Sequence, residues 1–225
     1  MLRNFLRAAL TIAGKDLRAE LRSRELLGLM ALFALLAILV FSFALELDRP
    51  GRQDAVNGVL WVTLLFASIL GHNRSAALER EHGGFDALLL APVARGAIFA
   101  GKLLANALFT LIIALLLLPL LTVLYNLPQF PPALLLIVPS GCLGLAAIGT
   151  LLAAITVQTR ARDSLLPVLL LPVALPLLVT ALRASNAALG NLPEAELQTW
   201  ILLLLLVDLI YLAAGFLLFE TVLES

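Results

Sequence analysis

Residues 103–125 read LLANALFTLIIALLLLPLLTVLY, twenty-three positions without an acidic, basic or histidine side chain. A helix rises about 1.5 Å per residue and needs about 20 apolar residues to cross a hydrocarbon core of about 30 Å. Inside that core every backbone N–H and C=O has to be satisfied within the segment, which a helix does. Five further stretches meet the same test: Leu26 to Leu45, Ala55 to Gly71, Ala133 to Val157, Leu165 to Leu182 and Trp200 to Phe219. Together they predict an all-α membrane protein with six transmembrane helices, organised as one transmembrane domain over residues 1–225.

Composition agrees with this. Hydrophobic residues make up 62% of the chain and charged residues 13%, against about 25% charged in soluble domains. Formal net charge is zero, so no overall basic field points to nucleic acid. The position of the charges is more telling than their sum. With the amino terminus inside, twelve of the 15 Lys and Arg residues fall in cytoplasmic segments and only Arg49, Arg52 and Arg183 fall outside. Basic residues are retained on the cytoplasmic side, so both termini are expected in the cytoplasm and the protein in the cell inner membrane.

Residues 2–24 are too charged to cross. Leu2, Leu6, Leu10, Ala13, Leu17 and Leu21 recur every three or four positions, while Arg3, Arg7, Lys15, Arg18 and Arg22 hold another stripe. Such a helix lies along the lipid surface, with Lys15, Arg18 and Arg22 at the headgroups, and it also serves to set topology. The segment 73–102 is the longest cytoplasmic one. It starts polar, is interrupted by Gly83, Gly84, Pro92 and Gly96, and is expected to form a helix near Ala76 to His82, a Gly-Gly turn and a short helix to Ala91. Phe85, Leu88, Leu89 and Leu90 would give that short helix an apolar face for a partner or for the membrane helices.

Pro119, Pro139, Pro167, Pro172 and Pro176 fall inside crossings, where each removes a backbone hydrogen bond and tends to kink its helix. Ser140, Gly141, Gly144 and Gly149 form a small-residue face suited to internal packing or to a dimer. Trp61 and Trp200 sit near outer membrane edges, as an aromatic belt requires. Cys142 is the lone cysteine and is expected to be a small buried residue.

Little in the chain promises chemistry. There is no phosphate-cradling GxxxxGK[ST], no HExxH and no GxSxG, so any nucleotide energy must come from another subunit and no catalytic residue is assigned. His72 and His82 have no second ligand pattern around them, and no metal or cofactor site is expected in this chain. Asp208 is the one ionisable residue near the middle of a crossing. An unpaired carboxylate there costs about 2.5–3.5 kcal/mol on insertion scales, so Asp208 should face protein or water, either as a proton or substrate contact or as a hydrogen-bonded tie between helices.

The run Glu79-Arg80-Glu81-His82-Gly83-Gly84-Phe85-Asp86-Ala87-Leu88-Leu89-Leu90-Ala91-Pro92, followed by Arg95 and Gly101-Lys102-Leu103, resembles the loop between the second and third helices of ABC-2 type permeases. Phe85 and Asp86 stand where Leu and Glu are usual. Lys15-Asp16-Leu17-Arg18-Ala19-Glu20-Leu21-Arg22 and Leu171-Pro172-Val173-Ala174-Leu175-Pro176-Leu177-Leu178 resemble, more narrowly, the CcmB family, the haem exporter membrane subunit of cytochrome c maturation.

The resemblance implies an ABC-2 type permease fold in which residues 73–102 carry a coupling helix docking on an ATPase. Its contacts would be Glu79, Glu81, Gly83, Phe85, Asp86, Leu88, Leu89 and Pro92. It also implies two copies of the chain working with the ATP-binding subunit CcmA and the haem-handling membrane protein CcmC, with CcmD and the chaperone CcmE as further partners. Haem is then a candidate cargo of the complex, although the tryptophan-rich signature of the haem-handling partner is absent. The alternatives are release of the haem-loaded chaperone outside the membrane, export of another lipid, drug or polysaccharide, and a scaffold that transports nothing.

Overall fold

The computed structural model describes residues 2–44, 49–81, 93–125, 131–156, 162–190 and 192–224. Among them seven helices follow one another: α1 Leu2–Ser23, α2 Glu25–Ala44, α3 Arg49–Glu81, α4 Arg95–Tyr125, α5 Leu134–Thr156, α6 Arg162–Ala188 and α7 Glu194–Glu224. Six of these, α2 to α7, are long and apolar enough to cross a membrane. The chain is therefore an all-α, multi-pass membrane protein.

The small-residue helix α5 stands at the centre, packed against α3, α4, α6 and α7, while α2 lies on α3 and α4. Its glycines explain the placement. A Cβ on Gly141 would run into the Trp61 ring, one on Gly144 into Asp208 and Leu177, and one on Gly149 into His72. Without hydrophobic expulsion between helices in lipid, close approach over small residues is what holds them together. The Ser140, Gly141, Gly144 and Gly149 face is thus consumed within the subunit, which decides between the two uses the sequence left open.

Trp61 departs from expectation for the same reason. Its side chain is 2% exposed, and its Nε1–H donates to Ser185 Oγ at 3.0 Å. Indole placed over Gly141 fills the inter-helix space, so this ring is core and not belt. Trp200 is half-buried, with its Nε1–H on Glu196 and the Arg183 guanidinium over its face.

Several helices outrun their apolar cores. The expected break between Gly71 and Ala76 is not present, because α3 continues unbroken to Glu81. Residues 72–81 contain neither Gly nor Pro and are rich in Ala, Leu, Glu and Arg, good helix formers, and Gly71 serves instead to admit the Met30 side chain. At the other end of the segment α4 begins at Arg95 rather than at Leu103. The Gly-Gly turn and the short helix expected up to Ala91 lie outside the described residues.

Helix α6 runs through Pro167, Pro172 and Pro176. Tyr211 on α7 donates its hydroxyl to the carbonyl of Val173, in the turn that Pro176 crowds, so a neighbouring helix supplies a donor where the proline weakens the ladder.

Helix α1 turns into α2 at Arg24, whose φ of 56° lies in the left-handed region and so closes the helix sharply. The buried Glu20 carboxylate then accepts from Leu26 N at 3.2 Å and Leu27 N at 2.8 Å, satisfying two of the free N–H groups that begin α2. The face of α1 that packs on α4 carries Ala9, Ile12, Ala13 and Glu20, all buried. Leu6, Leu10 and Leu21 are 50%, 63% and 72% exposed. At about 100° per residue the leucine stripe lies between the packed face and the basic face.

Candidate functional site

The end of the bundle where α1 crosses brings four charged side chains together from three helices. Lys102 of α4 is 7% exposed, and its Nζ donates to Asp16 Oδ2 of α1 at 2.7 Å and pairs with Glu79 Oε1 of α3. Lys15 Nζ stands 3.2 Å from Asp16 Oδ1 and 3.5 Å from Glu79 Oε1. Two cations and two carboxylates balance, which is the condition for keeping charges in a poorly solvated place.

Sequence puts each group there. Lys102 is the last charge before the apolar run of α4, Glu79 lies in the polar extension of α3, and Lys15 and Asp16 sit midway along α1. Gly101 admits α1, since a Cβ there would stand 2.7 Å from Ile12 Cβ and 2.8 Å from the Ala9 carbonyl.

Burial of Lys15 acts to lower its pKa, but the carboxylates of Asp16 and Glu79 outweigh it and hold the ammonium above the ordinary lysine value of 10.5. For a raised cation the stabilisation is complete below the unfolded value and is lost only as pH rises through the folded one. The network is therefore fully charged at neutral pH on the Lys15 side. A second pair, Arg74 with Glu25, ties the end of α3 to the start of α2.

Two spaces adjoin the network. A cleft of about 340 Å³ is bounded by Lys15, Glu20, Leu26, Leu78, Glu79, Lys102 and Phe109. Deeper in, a chamber of about 40 Å³ is lined by His72, Glu79, Lys102, Asn106 and Thr150. Across it Asn106 Nδ2 donates to Thr150 Oγ1 at 3.0 Å. His72 is 2% exposed and lies 2.7 Å by its Nδ1 from the Ser68 carbonyl.

Of the coupling residues expected from sequence, Glu79 is in this network. Glu81 is the last residue of α3, with only its backbone described. Gly83, Phe85, Asp86, Leu88, Leu89 and Pro92 lie outside the described residues. On α1, Lys15 joins the network, whereas Arg18 and Arg22 are exposed. Sequence reasoning missed that Asp16 and Lys102 complete the cluster. The available signal was a lone lysine opening an apolar helix, which needs a carboxylate, with candidates at 16 and 79.

Asp208 belongs elsewhere. It is 4% exposed, faces protein, and its Oδ2 accepts from Ser140 Oγ while Oδ1 lies against Gly144 without a hydrogen-bond partner. Gly144 and Gly149 are five residues apart on α5, so about 7.5 Å along the axis separates the turn that receives Asp208 from the turn that receives His72. Among the described residues no group of three or more His, Cys, Asp or Glu side chains could hold a metal ion, and Cys142 is a buried free thiol.

Comparison with known proteins covers nearly the whole chain. The family model described as CcmB protein matches residues 7–219. Heme exporter protein B of Rhodobacter capsulatus is 34% identical over 171 residues, 75% of this chain and 78% of that protein. The protein of the same name from Paracoccus denitrificans is 32% identical over 187 residues, covering 81% and 85%. That from Pseudomonas aeruginosa is 29% identical over 181 residues, covering 80% and 81%.

Proposed function

Because this chain belongs to the CcmB family, we propose that it is the membrane permease subunit of an ABC-type haem export system serving cytochrome c maturation in the cell inner membrane. ATP is hydrolysed in a separate subunit, CcmA, and two copies of this chain work with it, with CcmC, and with CcmD and the chaperone CcmE. The segment 73–102 receives the motion of the ATPase, and α1 lies on the cytoplasmic leaflet with its leucines in lipid and its arginines at the headgroups.

One observation carries the coupling reading. Glu79, two residues before the end of α3, is held by ion pairs to Lys15 of α1 and Lys102 of α4. Force applied to residues that follow α3 in sequence would reach three helices through a single buried cluster instead of dissipating in one helix end.

The test is charge reversal at Glu81 and Asp86, in single variants, with the ATPase subunit co-expressed. Loss of co-purification, or retained assembly with ATP hydrolysis no longer linked to cytochrome c maturation, is the expected result. Normal assembly and normal maturation in both variants would remove the coupling assignment.

A further inference from the structure

Two buried acceptor atoms are left without a hydrogen bond at the same place. The Nδ1–H of His72 donates to the Ser68 carbonyl, which can only accept, so in the neutral ring Nε2 carries a lone pair. That atom has no hydrogen-bond partner, and neither has Glu79 Oε1, which is ion-paired but not aligned for a hydrogen bond. Both residues line the chamber of about 40 Å³. A water needs roughly 10–15 Å³ of such space and two to four polar partners. It brings two donors, the number that the two acceptors lack, and an oxygen that can accept from the Lys102 ammonium on the same wall.

We propose that this chamber binds a water molecule that donates to His72 Nε2 and to Glu79 Oε1 and accepts from the Lys102 ammonium. Ser75, Glu79 and Lys102 line both the chamber and the larger cleft, so the site adjoins that cleft. His72 is then a positioning residue. Its ring, admitted by Gly149, carries the position of the charge network into the central helix α5. The charged groups facing it are Glu79 from its own helix and Lys102 from α4, while α5 contributes Thr150, and α7 Phe219. The water site stands independently of what the complex exports.

The chain has two histidines, so His82→Gln leaves one imidazole to observe by nitrogen-15 NMR in the full-length protein, labelled at histidine and placed in lipid nanodiscs. The expected spectrum has the proton on Nδ1, a hydrogen-bonded lone pair on Nε2, and magnetisation transfer between the ring and water. Glu79→Gln, which keeps an acceptor, should leave the tautomer and the transfer, whereas Glu79→Leu, which removes it, should weaken the transfer severalfold. A proton on Nε2, no transfer from water in folded protein, or unchanged transfer in Glu79→Leu overturns the site.

Discussion

Lys102 faces two carboxylates and is largely buried with them, with side-chain exposures of 9% for the lysine and 14% for each acid. Replacing it by Met removes the central cation and leaves Asp16 and Glu79 to the half-exposed Lys15. Breaking a buried pair in this way costs about 3–5 kcal/mol, so Lys102→Met should unfold at markedly lower denaturant or temperature in detergent, whereas Lys102→Arg should recover most of the loss. An unfolding midpoint unchanged in Lys102→Met would show that the network contributes nothing. Asp208 calls for the opposite expectation. With Ser140 donating to one oxygen and Gly144 against the other, an amide of the same shape keeps the tie between α5 and α7. Asp208→Asn should therefore keep protein level and cytochrome c maturation near normal, and a selective loss of maturation at normal level would make the carboxylate a proton carrier. Residue-scale pairings were only half legible in sequence. That Asp208 must avoid lipid followed from the cost of a carboxylate there, though not whether it meets protein or water, and Trp61 looked like a belt residue because sequence gives its depth and not the direction of its ring.

Helix α1 is where an element's two faces divide the work. Ala9, Ile12 and Ala13 pack on α4 over Gly101, and Leu6, Leu10 and Leu21 beside them are exposed, the face proposed to meet lipid. Gly101→Leu would push a side chain against the Ala9 backbone, which cannot yield as a flexible side chain would, and α1 should lift from α4. The measure is limited trypsin digestion in nanodiscs, where cleavage after Arg7, Lys15 and Arg18 should accelerate. Leu10→Ser, on the exposed leucine face, should leave the α1–α4 contact intact and weaken only the proposed attachment to lipid. Equal protection of Gly101→Leu and the parent chain would refute the packing. The periodicity of residues 2–24 gave the helix and its leucine stripe. It did not give the packed face, because Ala9 and Ile12 fall outside the stripe, and Ala13, which falls in it, buries little apolar area beside five leucines. Helix ends were illegible for a related reason: apolarity marks what sits in lipid, while α3 and α4 continue as helices beyond it wherever no Gly or Pro intervenes.

At the scale of the molecule the contacts sort the helix ends onto two faces without reference to charge. Arg74 meets Glu25, Arg95 Nη1 donates to the Glu220 carbonyl at 3.3 Å, and Gly96 lies against Phe5 and Phe216. The starts of α1, α2 and α4 and the ends of α3 and α7 therefore share one face. Asn57 meets Asn186, Trp61 meets Ser185, and Arg183 lies over Trp200, so the other face gathers the start of α3, the end of α6 and the start of α7. The first face carries Arg3, Arg7, Lys15, Arg18, Arg22, Arg24, Arg74, Arg95 and Lys102, and the second carries Arg183 together with Arg49 and Arg52 at the start of α3. That is the asymmetry the positive-inside rule converts into orientation, reached here from packing as well as from the order of crossings. Single cysteines in a Cys142→Ala background give the check: with a membrane-impermeant maleimide on spheroplasts, Gln198→Cys should label directly and Ser23→Cys only after permeabilisation. The opposite pattern would set residues 82–92 outside the cell, where no ATP-hydrolysing partner could reach them, and would remove the coupling reading together with the orientation.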